Sequence, residues 1–279
     1  MLFGHHVSIA GGVFNAPINA AQIGGEIFQM FTRSPRGGAA PKLTPEIVEL
    51  FKTNCQKFGF TDCYVHTPYY INLASSNPKI AASSPHIIRE ELERSSLLGV
   101  HAVMTHLGSA KDTTRPKAVA RTIKGLTAAL KGYRGSSQFL IEIAAGSGQI
   151  IGDSFEEIAV ILKETQKSVQ TKIGVCFDTC HAFASGYDLR TKQTVNSTFK
   201  HFDQTIGLKN LVLIHGNDTK AKLNDRVDRH WHIGHGNIGL EGFRAIINHP
   251  QLKKINMILE TPDASWDKKN LATVKKMRG

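Results

Sequence analysis

Six short apolar runs in this 279-residue chain each close on a residue able to hold a metal ion: YVH at His66, VMTH at His106, LIE at Glu142, VCFD at Asp178, VLIH at His215 and ILE at Glu260. They recur roughly every 40 residues, the length of a strand, a loop, a helix and a return loop. When parallel strands close into a barrel, their C-terminal ends converge on one face, where such barrels carry their active sites. The pattern therefore favours a fold that gathers six ligand-type side chains in one place.

Two more strand candidates, Phe3 to Ser8 and Glu26 to Phe31, join Cys63 to His66, Ala102 to His106, Phe139 to Ile143, Ile173 to Asp178, Leu211 to His215 and Met257 to Glu260, making eight. They are apolar without strict alternation, as expected of parallel strands buried on both faces. Helix starts are marked by Thr44–Pro45, by Ser84–Pro85 and by Ser154 with Glu157, the spacing of a capping box. Gly99 and Gly132 stand where a left-handed residue ends a helix just before the next strand. The class expected is α/β: a (β/α)8 TIM barrel in which residues 1–279 form a single domain. Eight such units also suit an open doubly wound sheet, and the convergent strand ends decide for the barrel.

Composition narrows the function classes. A formal charge of +11 and a pI near 9.5 point to a polyanionic partner, nucleic acid before membrane. No apolar run approaches the roughly 20 residues of a membrane span. The start MLFGHHVSIAGG lacks the basic-then-apolar order of a signal peptide. Cys55, Cys63, Cys176 and Cys180 form no CxxC pair, which suits buried thiols in a reducing cytoplasm. A soluble, cytoplasmic protein is expected.

A lone histidine at a strand end is commonly a hydrogen-bonded core residue. Several carboxylates there are different, because unpaired buried charges cost several kcal/mol each unless cations compensate them. Two clusters enlarge the set. In DTCH, His181 follows Asp178 by three residues; in DRH, Asp228 and His230 alternate around Arg229 and share one side of an extended loop. Nine candidates exceed one ion's needs and suit two or three, with a carboxylate bridging. The imidazole-rich set favours zinc or manganese over magnesium, and zinc is the choice. GHGNIG matches GxGxxG but follows no strand, so it is read as a turn rather than a dinucleotide fingerprint. His5 and His6 are read as core or supporting residues, and the terminal KKMRG as a solvated tail.

Over nearly its whole length the chain resembles the endonuclease IV family of zinc-dependent apurinic/apyrimidinic endonucleases. The matching stretches are GHHVSIAGG, FTRSPR, HTPYYINL, THLGS, GVCFDTCHAFASGYDLR, HGNDTK, RVDRHWHIGHGNIG and ILETP. The resemblance implies three zinc ions in a (β/α)8 barrel with DNA-binding loops at the C-terminal face of its strands. One ion is held by His66, His106 and Glu142, a second by Glu142, Asp178, His215 and Glu260, and a third by His181, Asp228 and His230, with manganese an option at one site. Every ligand position is filled. The implied partner is duplex DNA carrying abasic sites or blocked 3′ ends, with Arg36, Tyr69 and Tyr70 inserted into the base stack; a monomer is the expected state. Tyr70 stands where an aliphatic residue is common, GGAAP after Arg36 lacks bulky or basic residues, and Ile143 and Ala144 replace a usual polar pair.

The implied reaction is hydrolysis of the phosphodiester 5′ to the abasic site, leaving a 3′-hydroxyl and a 5′-deoxyribose phosphate, with 3′-end trimming. Zinc-activated hydroxide is the nucleophile, and either Glu142 or Glu260 orients or deprotonates the water. Enzymes lower barriers by about 8–23 kcal/mol, a scale that several divalent cations facing developing charge can supply. Two alternatives share features with this reading. A divalent-metal sugar isomerase or epimerase uses the same barrel but needs fewer ligands and no basic surface. A non-catalytic nucleic-acid-binding protein has no need of an intact ligand set.

Overall fold

The computed structural model describes residues 1–279. Strands and helices alternate from the start as β1 (Phe3–His6), α1 (Ala16–Gln22), β2 (Ile27–Met30), α2 (Pro45–Lys57), β3 (Cys63–His66) and α3 (Pro78–Leu98). Then come β4 (Ala102–Thr105), α4 (Arg115–Leu130), β5 (Gln138–Glu142), α5 (Phe155–Gln166), β6 (Ile173–Asp178), α6 (Thr179–Ala184) and α7 (Lys192–Thr205). The chain ends with β7 (Leu211–His215), the short strands β8 (Asp218–Thr219) and β9 (His230–Trp231), α8 (Gly239–Ile247), β10 (Asn256–Leu259) and α9 (Asp267–Met277).

Eight strands close into a parallel barrel in the order β1-β10-β7-β6-β5-β4-β3-β2, the closed form that the convergent strand ends favour over an open sheet. β8 and β9 pair antiparallel as a separate ribbon. No helix is long and apolar enough to cross a membrane.

Alternation of side chains along a strand explains why the site lies where it does. Ile27, Tyr64, Ala102, Met104, Leu140, Cys176, Leu213 and Ile258 form a buried cluster of their own, the plug of the barrel interior. Two residues on from Ile27, Tyr64, Met104, Leu140, Cys176, Leu213 and Ile258, hence on the same face, stand Gln29, His66, His106, Glu142, Asp178, His215 and Glu260. The candidate ligands are thus the top layer of the plug. On β1 the plug position is Gly4, where a Cβ would collide with the Ile27 carbonyl oxygen. The opposite strand faces join the apolar faces of the helices in a larger core that includes Phe28, Phe51, Leu92, Leu126, Phe139, Ile158, Phe177, Phe199, Phe243 and Leu271.

Four local expectations change. The helix start expected at Ser84–Pro85 lies earlier, because Asn77 accepts hydrogen bonds from the Lys79 and Ile80 N–H groups and Pro78 presets the first turn. Pro85 is left inside α3, where it removes one backbone hydrogen bond. Ser154 does accept from Glu157 N, but the Glu157 carboxylate accepts from Gly152 N and pairs with Arg115 instead of closing the box. KKMRG is no free tail: Met277 is buried, Lys275 donates to the Gly24 carbonyl and Arg278 pairs with Glu26 at 3.0 Å. Cys63, Cys176 and Cys180 are buried thiols, but Cys55 is only partly covered. Gly99 and Gly132 take the left-handed conformation expected of them, with φ of 78° and 70°.

Candidate metal centre

The nine candidate residues meet at the C-terminal ends of the barrel strands. Ligand atoms of His66, His106 and Glu142 lie within 4.8 Å of one another, as do those of Glu142, Asp178, His215 and Glu260. In a third group, the His181 and His230 Nε2 atoms are 3.3 Å apart, and each is 3.3–3.4 Å from an Asp228 oxygen. Glu142 belongs to two groups: one oxygen is 3.0 Å from His66 Nε2 and the other 3.0 Å from His215 Nδ1. Three positioning elements deliver the residues that lie off the strands. The first turn of α6 carries His181, whose backbone N–H is capped by Asp178. The loop after β8 carries Asp228, and β9 carries His230.

The outward ring nitrogens fix the imidazole orientations. A carbonyl oxygen only accepts, so the nitrogen facing it must carry the proton. His66 Nδ1 donates to Thr67 O (2.6 Å), His181 Nδ1 to Ile143 O (2.9 Å) and His230 Nδ1 to Glu260 O (3.1 Å). His215 Nε2 donates to Gln29 Oε1 at 2.7 Å. In its neutral form each ring then turns a lone pair toward a carboxylate oxygen or another imidazole nitrogen. Such facing lone pairs repel unless a proton or a metal cation stands between them, and this donor set suits a divalent metal with imidazole and carboxylate preference. His106 Nδ1 is buried without a hydrogen-bond partner, leaving that ring without the outward anchor of the other four.

The electrostatics agree. Burial opposes ionisation of Glu142, yet His106 and His215 overcome it and hold the carboxyl well below its ordinary value. Burial likewise opposes ionisation of Glu260, and His215 and His6 outweigh it. His181 is also buried, but Asp178 and Asp228 carry its pKa up to about 10. His106 moves the other way, to about 4, because burial exceeds the attraction of Glu142. Glu142 and Glu260 are thus held ionised and His181 favours its cation, whereas His106 favours the neutral ring.

The centre opens into a cavity of about 550 Å³ whose wall includes His6, Tyr69, Asp228, Arg229, Glu260 and Thr261. Tyr69 is 68 % exposed at its rim and lies edge-on to Phe31; Tyr70 is 38 % exposed. Arg36 is exposed on the loop after β2. Ile143 and Ala144 act through their backbones, the first accepting from His181 and the second from the Ser185 hydroxyl. The GHGNIG segment is a turn folded around Asp218, which accepts from the N–H groups of Gly234, Gly236 and Ile238 at 2.9–3.0 Å. It buries a carboxylate of the chain itself.

Sequence reasoning missed three residues. Gln29 donates to Glu260 (2.6 Å) as well as accepting from His215. Asn217 donates to Asp178 and accepts from Glu260 N, each at 2.7 Å. Arg229 brings a cation to the cavity wall. The only sequence signal for Gln29 was its place two residues after Ile27 in an otherwise apolar run, and for Asn217 its place in the matching stretch HGNDTK.

Residues 18–278 match the family model of the xylose isomerase-like TIM barrel. The chain is 40 % identical over 261 residues to a probable endonuclease 4 of Chlorobium phaeobacteroides, covering 93 % of this chain and 91 % of that one. It is 39 % identical over 265 residues to a probable endonuclease 4 of Nitrosopumilus maritimus, covering 94 % of each. The crystal structure of endonuclease IV from Thermus thermophilus superimposes with a TM-score of 0.86 at 33 % identity, over 99 % of this chain and 98 % of that one. Barrel topology, chain-long identity and superposition agree that this chain belongs to the endonuclease IV family.

Proposed function

We propose that the protein is a zinc-dependent endonuclease of DNA repair. It hydrolyses the phosphodiester 5′ to an abasic site in duplex DNA, leaving a 3′-hydroxyl and a 5′-deoxyribose phosphate, and it trims blocked 3′ ends. The observation that carries the reading is the convergence of five imidazoles and four carboxylates into groups whose ligand atoms lie within a few ångströms of one another. His66, His106 and Glu142 would hold one ion, Glu142, Asp178, His215 and Glu260 a second, and His181, Asp228 and His230 a third. Bound zinc supplies Lewis acidity to the phosphoryl and leaving oxygens and lowers the pKa of a water.

The side chains supply the rest. Glu260 lines the cavity whereas Glu142 lies fully buried beneath it, so Glu260 is the carboxylate placed to take a proton from the attacking water. Gln29 holds one Glu260 oxygen, and the other faces His215 Nδ1 at 3.2 Å. Arg229 at the wall and Arg36 on its loop meet phosphates, and the net charge of +11 attracts the backbone without regard to sequence. Selectivity comes from the abasic nucleotide itself, which leaves the stack at lower cost than a nucleotide that still stacks through its base. The exposed rings of Tyr69 and Tyr70 fill the gap.

The test is incision of an end-labelled duplex carrying one stable abasic analogue, beside an undamaged duplex, with chelator-stripped and zinc-reloaded protein. Incision only 5′ to the analogue, lost on stripping and restored by zinc, is expected. Zinc-loaded protein that binds the duplex without cutting it would sink the proposal, and a protein that neither binds nor cuts would redirect the search to sugar substrates.

A further inference from the structure

The first turn of α9 reaches the metal centre without touching it. Asn270 is 2 % exposed and lies outside the cavity wall, yet its amide meets two segments that carry candidate ligands. Its Oδ1 accepts from Ile233 N at 3.1 Å, and its Nδ2 lies 3.2 Å from His232 Nδ1, fixing the stretch that continues from His230. The same Nδ2 donates to Thr261 Oγ1 at 2.9 Å, fixing the residue that follows Glu260.

The chain of hydrogen bonds continues to β1. His5 Nδ1 faces the His6 carbonyl oxygen at 2.9 Å and so carries a proton; in the neutral ring Nε2 is then an acceptor, and it lies 3.1 Å from both Thr261 Oγ1 and Asp267 Oδ1. Thr261 Oγ1, 3.1 Å from that Nε2, therefore donates to His5 while accepting from Asn270. One hydrogen-bonded line runs from α9 through the end of β10 to the end of β1, with a branch to the β9 segment. The peptide of Glu260 is held on its other side by Asn217. His230 and Glu260 are assigned to different ions; the His230 Nδ1–Glu260 O hydrogen bond ties them directly, and Asn270 holds the segments that follow both of them from outside the cluster.

We propose that Asn270 is a positioning residue that holds Glu260 and His230 in place relative to one another, by fixing Thr261 and the His232–Ile233 backbone around their direct hydrogen bond. The inference rests on the metallonuclease reading above. Replacing an outer partner of a metal ligand costs roughly 10- to 100-fold in metal affinity or activity.

The test uses the full chain with Asn270→Leu, Asn270→Asp, Thr261→Val and Thr261→Ser. Three quantities are read: zinc retention against graded chelator, kcat and KM on the abasic-analogue duplex, and the thermal midpoint of stripped protein. Asn270→Leu should weaken zinc retention and lower kcat by about 10- to 100-fold, with KM within about twofold because the DNA-facing rim is untouched. Asn270→Asp, which keeps the acceptor for Ile233 but loses both donors, should follow Asn270→Leu. Thr261→Ser should restore what Thr261→Val loses, and Thr261→Val should add little to Asn270→Leu, since both break the same line. Should Asn270→Leu fail to fold, the two Thr261 variants carry the same comparison.

Lower thermal midpoints with zinc retention and kcat at wild-type levels would make Asn270 a packing residue only and overturn the inference. A wild-type chain that holds no zinc removes the reading beneath it. Wild-type zinc binding without incision removes the nuclease reading but leaves the retention comparison standing.

Discussion

Gln29 shows what a single side chain contributes here. It is fully buried, accepts from one candidate ligand and donates to another. Gln29→Leu should weaken metal retention by about 10- to 100-fold, read by chelator competition; an unchanged competition curve would deny it this role. Asp267 offers a test by pH. Burial, with Asp263 nearby, pushes its carboxyl up to about 6, above the unfolded value of about 3.9. The folded state therefore binds this proton more tightly than the unfolded chain. The resulting stabilisation is complete below about pH 4 and is lost as pH rises through about 6. Asp267→Asn should accordingly gain on wild type in urea unfolding as pH goes from 4 to 7, and a constant difference would contradict the assignment. The six strand-end residues were readable in the sequence because histidine and carboxylate at the close of an apolar run are chemically out of place. Gln29 and Asn217 were not, because an amide there fits a satisfied core equally well, and its partners lie tens of residues away in sequence.

Elements were readable to the degree that local chemistry specified them. Asn77–Pro78 and Ser84–Pro85 are competing start signals on one helix, and the earlier prevails because the Asn77 side chain satisfies two free N–H groups. The β8–β9 ribbon left no trace in the apolar pattern, since two strands of two residues show no periodicity. Its companion turn is held by a single carboxylate. Asp218 accepts from Gly234, Gly236 and Ile238, and a Cβ on Gly236 would collide with it. Asp218→Ala leaves those donors buried or half-buried without an acceptor, so destabilisation of at least about 3 kcal/mol is expected, measured by chemical unfolding. A loss below about 1 kcal/mol would show that water replaces the carboxylate.

At the scale of the molecule, the barrel gathers four carboxylates and five imidazoles that no hydrophobic core would select. Metal binding should therefore count toward folding. Chelation should lower the thermal midpoint, and zinc should restore it in proportion to its free concentration; a midpoint indifferent to both would separate the cluster from stability. The barrel class was readable from eight apolar runs and their ligand-bearing ends, whereas the closing register was not, because β10 pairs with β1 at the opposite end of the chain as well as with β7. That insertion has a consequence for synthesis. Until the ribosome releases the segment ending in Glu260, β1 and β7 have open edges and the second ligand group lacks a member. The last strand seals the sheet and completes the ligand set in one event, so a nascent or truncated chain has no assembled cutting centre to turn on the nucleic acids around it.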